Sequence, residues 1–127
     1  MPAQWIRTAA LLAAAAAAPV YADCIVPSPP TKIPDGSTAT LNEMRGVAKE
    51  MKGYNDLIKA YTDCLRLEAA NALAAAKDSK LTSDEKKLLE RSEAEKNNRA
   101  VDQATEVTTR FNEQVRIYKA RSDQKKG

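Results

Sequence analysis

From Thr40 onward the chain places apolar residues on a three-four rhythm. Met44, Val47, Met51, Tyr54, Ile58, Tyr61 and Leu65 fall on one line, the repeat that keeps a single helix face apolar. Thr40-Leu41-Asn42-Glu43 precedes the stripe and reads as a capping box, in which hydroxyl and carboxylate each satisfy a backbone N–H of the other residue. Gly46 and Gly53 interrupt the pattern at about 1 kcal/mol each relative to alanine, so packing rather than propensity must hold this helix. The stripe weakens through Ala72 to Lys77, and Asp78-Ser79-Lys80-Leu81 is a polar break. Thr82-Ser83-Asp84-Glu85 is a second capping box, followed by a second stripe of Val101, Ala104, Thr108, Phe111, Val115 and Tyr118.

The pattern predicts two helices, about 40–77 and 82–121, each about 60 Å long. Equal lengths and a short connection predict an antiparallel pair. Between Glu90 and Arg99 the only nearby apolar residues are alanines, so this stretch is expected to pack poorly or bend outward. Residues 122–127 are polar and predicted to form a flexible tail.

Residues 23–39 have a different character. Pro27, Pro29, Pro30 and Pro34 forbid helix and favour an extended path, and Asp35-Gly36 reads as a turn. The fold class that results is all-α: a long, coiled-coil-like, two-helix hairpin carrying an N-terminal proline-rich strap.

Residues 1–22 read as a signal peptide. Arg7 precedes an alanine- and leucine-rich run from Thr8 to Ala18, Pro19 ends it, and Val20-Tyr21-Ala22 offers small residues for cleavage before Asp23. The run is too short for a transmembrane anchor. Asp23 ahead of Cys24 does not suit lipoprotein processing. The expected address is secreted, and periplasmic in a Gram-negative cell. After cleavage roughly a hundred residues remain, one small domain. The whole chain carries a formal charge of +3, and loss of Arg7 leaves +2, no footprint for a nucleic-acid partner.

An oxidising destination gives meaning to the two cysteines, Cys24 and Cys64. Thr40 to Cys64 spans about 36 Å of helix. The strap reaches about 50 Å when extended, enough to fold back and join Cys24 to Cys64. The competing pairing is intermolecular, through Cys64 of a second chain. With no Cys-x-x-Cys and no histidine, a structural staple is expected rather than a redox-active pair.

The absence of histidine removes Ser-His-Asp and Cys-His catalysis and the commonest metal ligand. No glycine-rich phosphate loop is present. Met44 and Met51 sit at heptad spacing and read as core; Asp84 and Glu85 read as carboxylates in a helix's first turn. The expectation is a non-enzyme with no catalytic residue, cofactor or metal.

Certain stretches resemble a family of small secreted proteobacterial proteins with no assigned activity. They are Cys24-x-x-Pro27 with Pro30 and Pro34-Asp35-Gly36, then Glu43-Met44, Tyr54 and Tyr61-x-x-Cys64-Leu65-x-x-Glu68. Ala100-Val101-Asp102 and Phe111-Asn112-x-Gln114-Val115-Arg116-x-Tyr118-Lys119 complete the likeness, which spans most of the chain after residue 22. Family members often carry tyrosine where this chain has Asn97. The resemblance implies a strapped helical hairpin and contributes no catalytic residue.

Asn112, Gln114 and Arg116 cluster near the expected junction of strap and helices. They are read either as hydrogen-bond donors and acceptors for the strap or as a recognition surface. Leu57, Val107 and Ile117 lie off the predicted seams and are candidates for a partner. The leading functional expectation is a protein-interaction or structural module that binds another protein or itself. Two alternatives stand beside it: a periplasmic chaperone or envelope-stress protein, and a membrane-surface binder using Arg116, Lys119, Arg121, Lys125 and Lys126. No integral membrane segment is expected after residue 22.

Overall fold

The computed structural model describes residues 23–127; the predicted signal peptide lies outside the described residues. Two helices, α1 (Leu41–Ser79) and α2 (Ser83–Gln124), pack against each other as a hairpin. The non-helical segment 23–40 lies against them and is covalently tied to α1 by a Cys24–Cys64 disulfide.

Both capping boxes form. The Glu43 N–H donates to the Thr40 hydroxyl at 3.2 Å, and the Thr40 N–H donates to Glu43 Oε2 at 2.7 Å. Thr82 and Glu85 repeat the arrangement at 3.2 and 2.7 Å. These reciprocal bonds satisfy N-terminal backbone donors that have no partner inside the helix. Helix α1 runs two residues past its predicted end and stops at Lys80, whose φ of 51° places it in the left-handed region. Helix α2 runs three residues past the predicted Arg121, into what the sequence suggested was tail.

The α1 stripe is the core. Met44, Met51, Tyr54, Ile58, Tyr61 and Leu65 are buried and Val47 is half-buried against them. Helix α2 answers with Ala100, Ala104, Val107 and Phe111, joined by half-buried Val115 and Tyr118. This corrects the predicted register. Val101 is exposed, Thr108 is only half-buried, and Ala100 and Val107 take the inward positions. Ala104 and Phe111 belong to both sets; positions 101 and 108 give way to 100 and 107, which turns a three-four-three spacing into four-three-four. The observed set buries Val107 in place of the more polar Thr108, which is the lower-cost packing. Val107 is therefore core, not a surface for a partner; Leu57 is exposed and Ile117 half-buried.

The core ends early. Between Ala76 and Ala100, no residue is buried among those whose side chains are described. The expected weak packing of Glu90–Arg99 is present, and α2 nonetheless stays continuous through it. No large side chain is wholly sealed from solvent among the described residues. A core this thin sits near the limit for an unassisted domain, which is where a covalent staple adds most.

Candidate functional site

The strap is held at two places by different chemistry. At its start, Cys24 is bonded to Cys64 with a Cα–Cα distance of 5.8 Å across 40 positions of sequence. The intramolecular pairing is the one adopted. Closing such a loop restricts the unfolded chain, and in the loop-entropy view contributes about 4 kcal/mol.

At its end, the turn Asp35–Thr40 docks on α2. The Asp35 side chain organises the turn: its Oδ1 accepts from the Ser37 N–H at 2.8 Å and from the Ser37 hydroxyl at 2.7 Å. The Asp35 carbonyl accepts from the Thr38 and Ala39 N–H groups at 3.1 and 2.8 Å. The Ser37 hydroxyl and N–H hold the Asp35 carboxyl below the ordinary carboxylate range. The buried Gly36 then approaches α2 so closely that an added Cβ would overlap the Gln114 carbonyl oxygen and lie 2.8 Å from the Tyr118 nitrogen. The Gly36 N–H donates to Gln114 Oε1 at 2.8 Å. From about two turns beyond Gln114, the Arg121 guanidinium donates to the Ser37 carbonyl at 2.6 Å and also to the Ala39 carbonyl. Its cation sits 5.2 Å from the centre of the Tyr118 ring, which fixes the guanidinium over the turn.

Of the three residues singled out on late α2, only Gln114 holds the strap. Asn112 and Arg116 are exposed, and Arg116 lies 3.9 Å from Glu113 as an i,i+3 pair on the solvent face. The second strap-binding group is Arg121, which the sequence offered only as part of a basic end. A faint signal existed: Gln114, Tyr118 and Arg121 recur at four and three positions, one helical face.

Between the two anchors the strap is loosely held. Among the described residues, none of positions 25–34 makes a hydrogen bond. Ile33 packs on the core cluster, Pro27, Pro29, Pro30 and Pro34 are half-buried, and Lys32 attracts the Glu43 carboxylate across the edge of α1. Ile25 is 86% exposed and Val26 54%.

The strap fills only part of the groove between the helices. Beyond Cys24 the groove continues as an open depression of about 320 Å³ lined by Val26, Tyr61, Leu65, Lys96, Arg99 and Ala100. It runs on toward Ala69, Ala72 and Leu89 through the shared residues Leu65, Glu68 and Lys96. Among the described residues no group of three or more His, Cys, Asp and Glu could hold a metal ion. No described helix is long and apolar enough to cross a membrane. No family model matches the chain, and comparisons with curated proteins and with solved structures return no match.

Proposed function

We propose that this chain is exported, loses residues 1–22, and acts in the periplasm or outside the cell as a non-enzymatic interaction or structural module. The observation that carries this reading is the stapled hairpin itself. Its core is thin, its strap is covalently fixed, and it leaves large apolar side chains in solvent: Ile25, Leu57, Leu67 and Leu88 at 86%, 56%, 62% and 65% exposure. Covering such side chains is the gain that a second protein or a second copy would supply to a domain with so little core of its own. The signal-like segment supports an oxidising destination, where the disulfide persists. Light scattering and crosslinking of the purified protein in its native envelope fraction test the reading. Self-association or a stoichiometric partner is the expected result; a strict monomer with no crosslinked partner removes its main support.

The open groove beyond Cys24 favours one further reading, a chaperone that cradles extended clients. Suppression of aggregation of an unfolded substrate by the purified protein is expected in that case, and inactivity rejects it. Binding to a membrane surface through the basic end draws less support, because Arg121 is engaged with the strap.

A further inference from the structure

The strap's two anchors differ in a way that bears on regulation. One is a covalent bond between two half-buried cysteines, of which Cys24 borders the open groove. The other is a set of backbone-directed hydrogen bonds on the turn 35–39, none of which involves a cysteine. Between them lie positions 25–34, without hydrogen bonds among the described residues and with Ile25, Val26, Ser28, Thr31 and Lys32 exposed.

We infer that the Cys24–Cys64 bond is a redox latch: its reduction releases residues 24–34 from the groove while the turn at 35–39 stays clamped to α2. The reductant is a dithiol. Its thiolate attacks one sulfur of the pair, giving a mixed disulfide and expelling the other cysteine as a thiolate. Its second thiol then displaces the remaining cysteine. Two electrons and two protons pass to Cys24 and Cys64, which become thiols, and the dithiol leaves as a disulfide. Once the bond is open, backbone freedom favours release of a segment that has no hydrogen bonds to lose. Half-buried Ile33 and the prolines resist it through apolar contact, and Lys32 through a solvent-screened charge attraction to Glu43. Release then uncovers apolar surface at the two places where the strap lies on α1, beside Tyr61 and Leu65 and beside Val47. The inference rests on the anchors alone and stands whether or not the interaction reading is correct.

Limited trypsin digestion of the oxidised protein and of the dithiol-reduced protein tests it, followed by mass spectrometry. The Lys32–Ile33 bond lies in the segment expected to move, whereas Lys49 and Lys52 lie within α1. Reduction is expected to speed cleavage after Lys32 by about tenfold or more relative to Lys49 and Lys52, since cleavage follows the open population. Amide exchange supplies a second readout that does not depend on any variant. The Gly36 and Ala39 N–H groups, bonded to Gln114 Oε1 and to the Asp35 carbonyl, are expected to stay protected in the reduced protein. Unchanged cleavage after Lys32 overturns the latch, because the strap then stays seated without its bond. A parallel rise at all three sites with loss of protection at Gly36 and Ala39 also overturns it, because the disulfide then holds the whole fold.

Discussion

Replacing glycine by alanine usually stabilises a protein slightly by restricting the unfolded chain, by about 0.4–1 kcal/mol. Here the same change at three positions should give two opposite signs. At Gly46 and Gly53, exposed within α1, an added Cβ meets nothing within 4 Å, so each substitution should stabilise by about 1 kcal/mol. At Gly36 the Cβ would overlap the Gln114 carbonyl oxygen and lie 2.8 Å from Tyr118 N and 3.0 Å from Gln114 C, where ordinary contact begins at 3.4 Å. These are backbone atoms of a helix and do not yield, so the turn must retreat by on the order of 1 Å. Overpacking of this kind costs about 1–3 kcal/mol. The retreat also stretches the 2.8 Å bond from Gly36 to Gln114, worth about 0.5–1.5 kcal/mol, and strains the two Arg121 bonds. These losses overlap rather than add, so Gly36→Ala should destabilise by about 3 kcal/mol. For a domain of this size that lowers Tm by on the order of 15 °C. Thermal and urea unfolding followed by circular dichroism, with the disulfide verified intact by mass, measures all three variants. A Gly36→Ala protein as stable as the Gly46 and Gly53 variants would show that the turn does not rest on α2, and the account of the strap would fail.

Other outcomes follow from the same structure. Paired Cys24→Ser and Cys64→Ser substitutions should lower the unfolding free energy in urea by about 4 kcal/mol, the loop-closure contribution for a separation of 40, and an unchanged midpoint would contradict it. Tyr54→Phe should be neutral or stabilise by up to about 1 kcal/mol, because the Tyr54 hydroxyl is buried without a hydrogen-bond partner among the described residues; a clear loss of stability would expose a partner for it. Asp35, Glu43 and Glu85 titrate below their ordinary range, Glu43 and Glu85 chiefly through the capping N–H groups of Thr40 and Thr82. A depressed folded-state pKa contributes stability above the ordinary carboxylate range and loses it as pH falls toward the folded value. An acid titration of stability should therefore steepen below that range, and Glu43→Gln with Glu85→Gln should flatten it.

Much of the architecture is local in origin and was therefore readable from sequence. A capping box is complete within four residues, so Thr40–Glu43 and Thr82–Glu85 mark both helix starts unaided. The α1 stripe is strong enough that every residue read from it lies in or against the core. Helix α2 is different: apolar and small residues occupy two adjacent registers, and which one faces inward is decided by the side chains of α1, not by α2 itself. Hence the pattern of α2 alone points Val101 and Thr108 inward and Val107 outward, whereas the fold buries Val107 and exposes Val101. The strap's reach allowed the disulfide, but not its far anchor. Arg121 acts on carbonyls more than 80 residues away, through a long side chain whose direction no spacing rule predicts. Gly36 was legible as a turn residue, yet its requirement comes from the nearness of α2 rather than from its own backbone angles.

The central claim is that export supplies the bond that completes this fold. Intact-mass analysis of the protein recovered from a secreting host, before and after reduction and thiol alkylation, addresses it in one step. The account predicts a chain beginning at Asp23, inert to alkylation until reduced, and lighter than its reduced form by two hydrogens. A chain retaining residues 1–22, or one whose Cys24 and Cys64 alkylate without reduction, would contradict it.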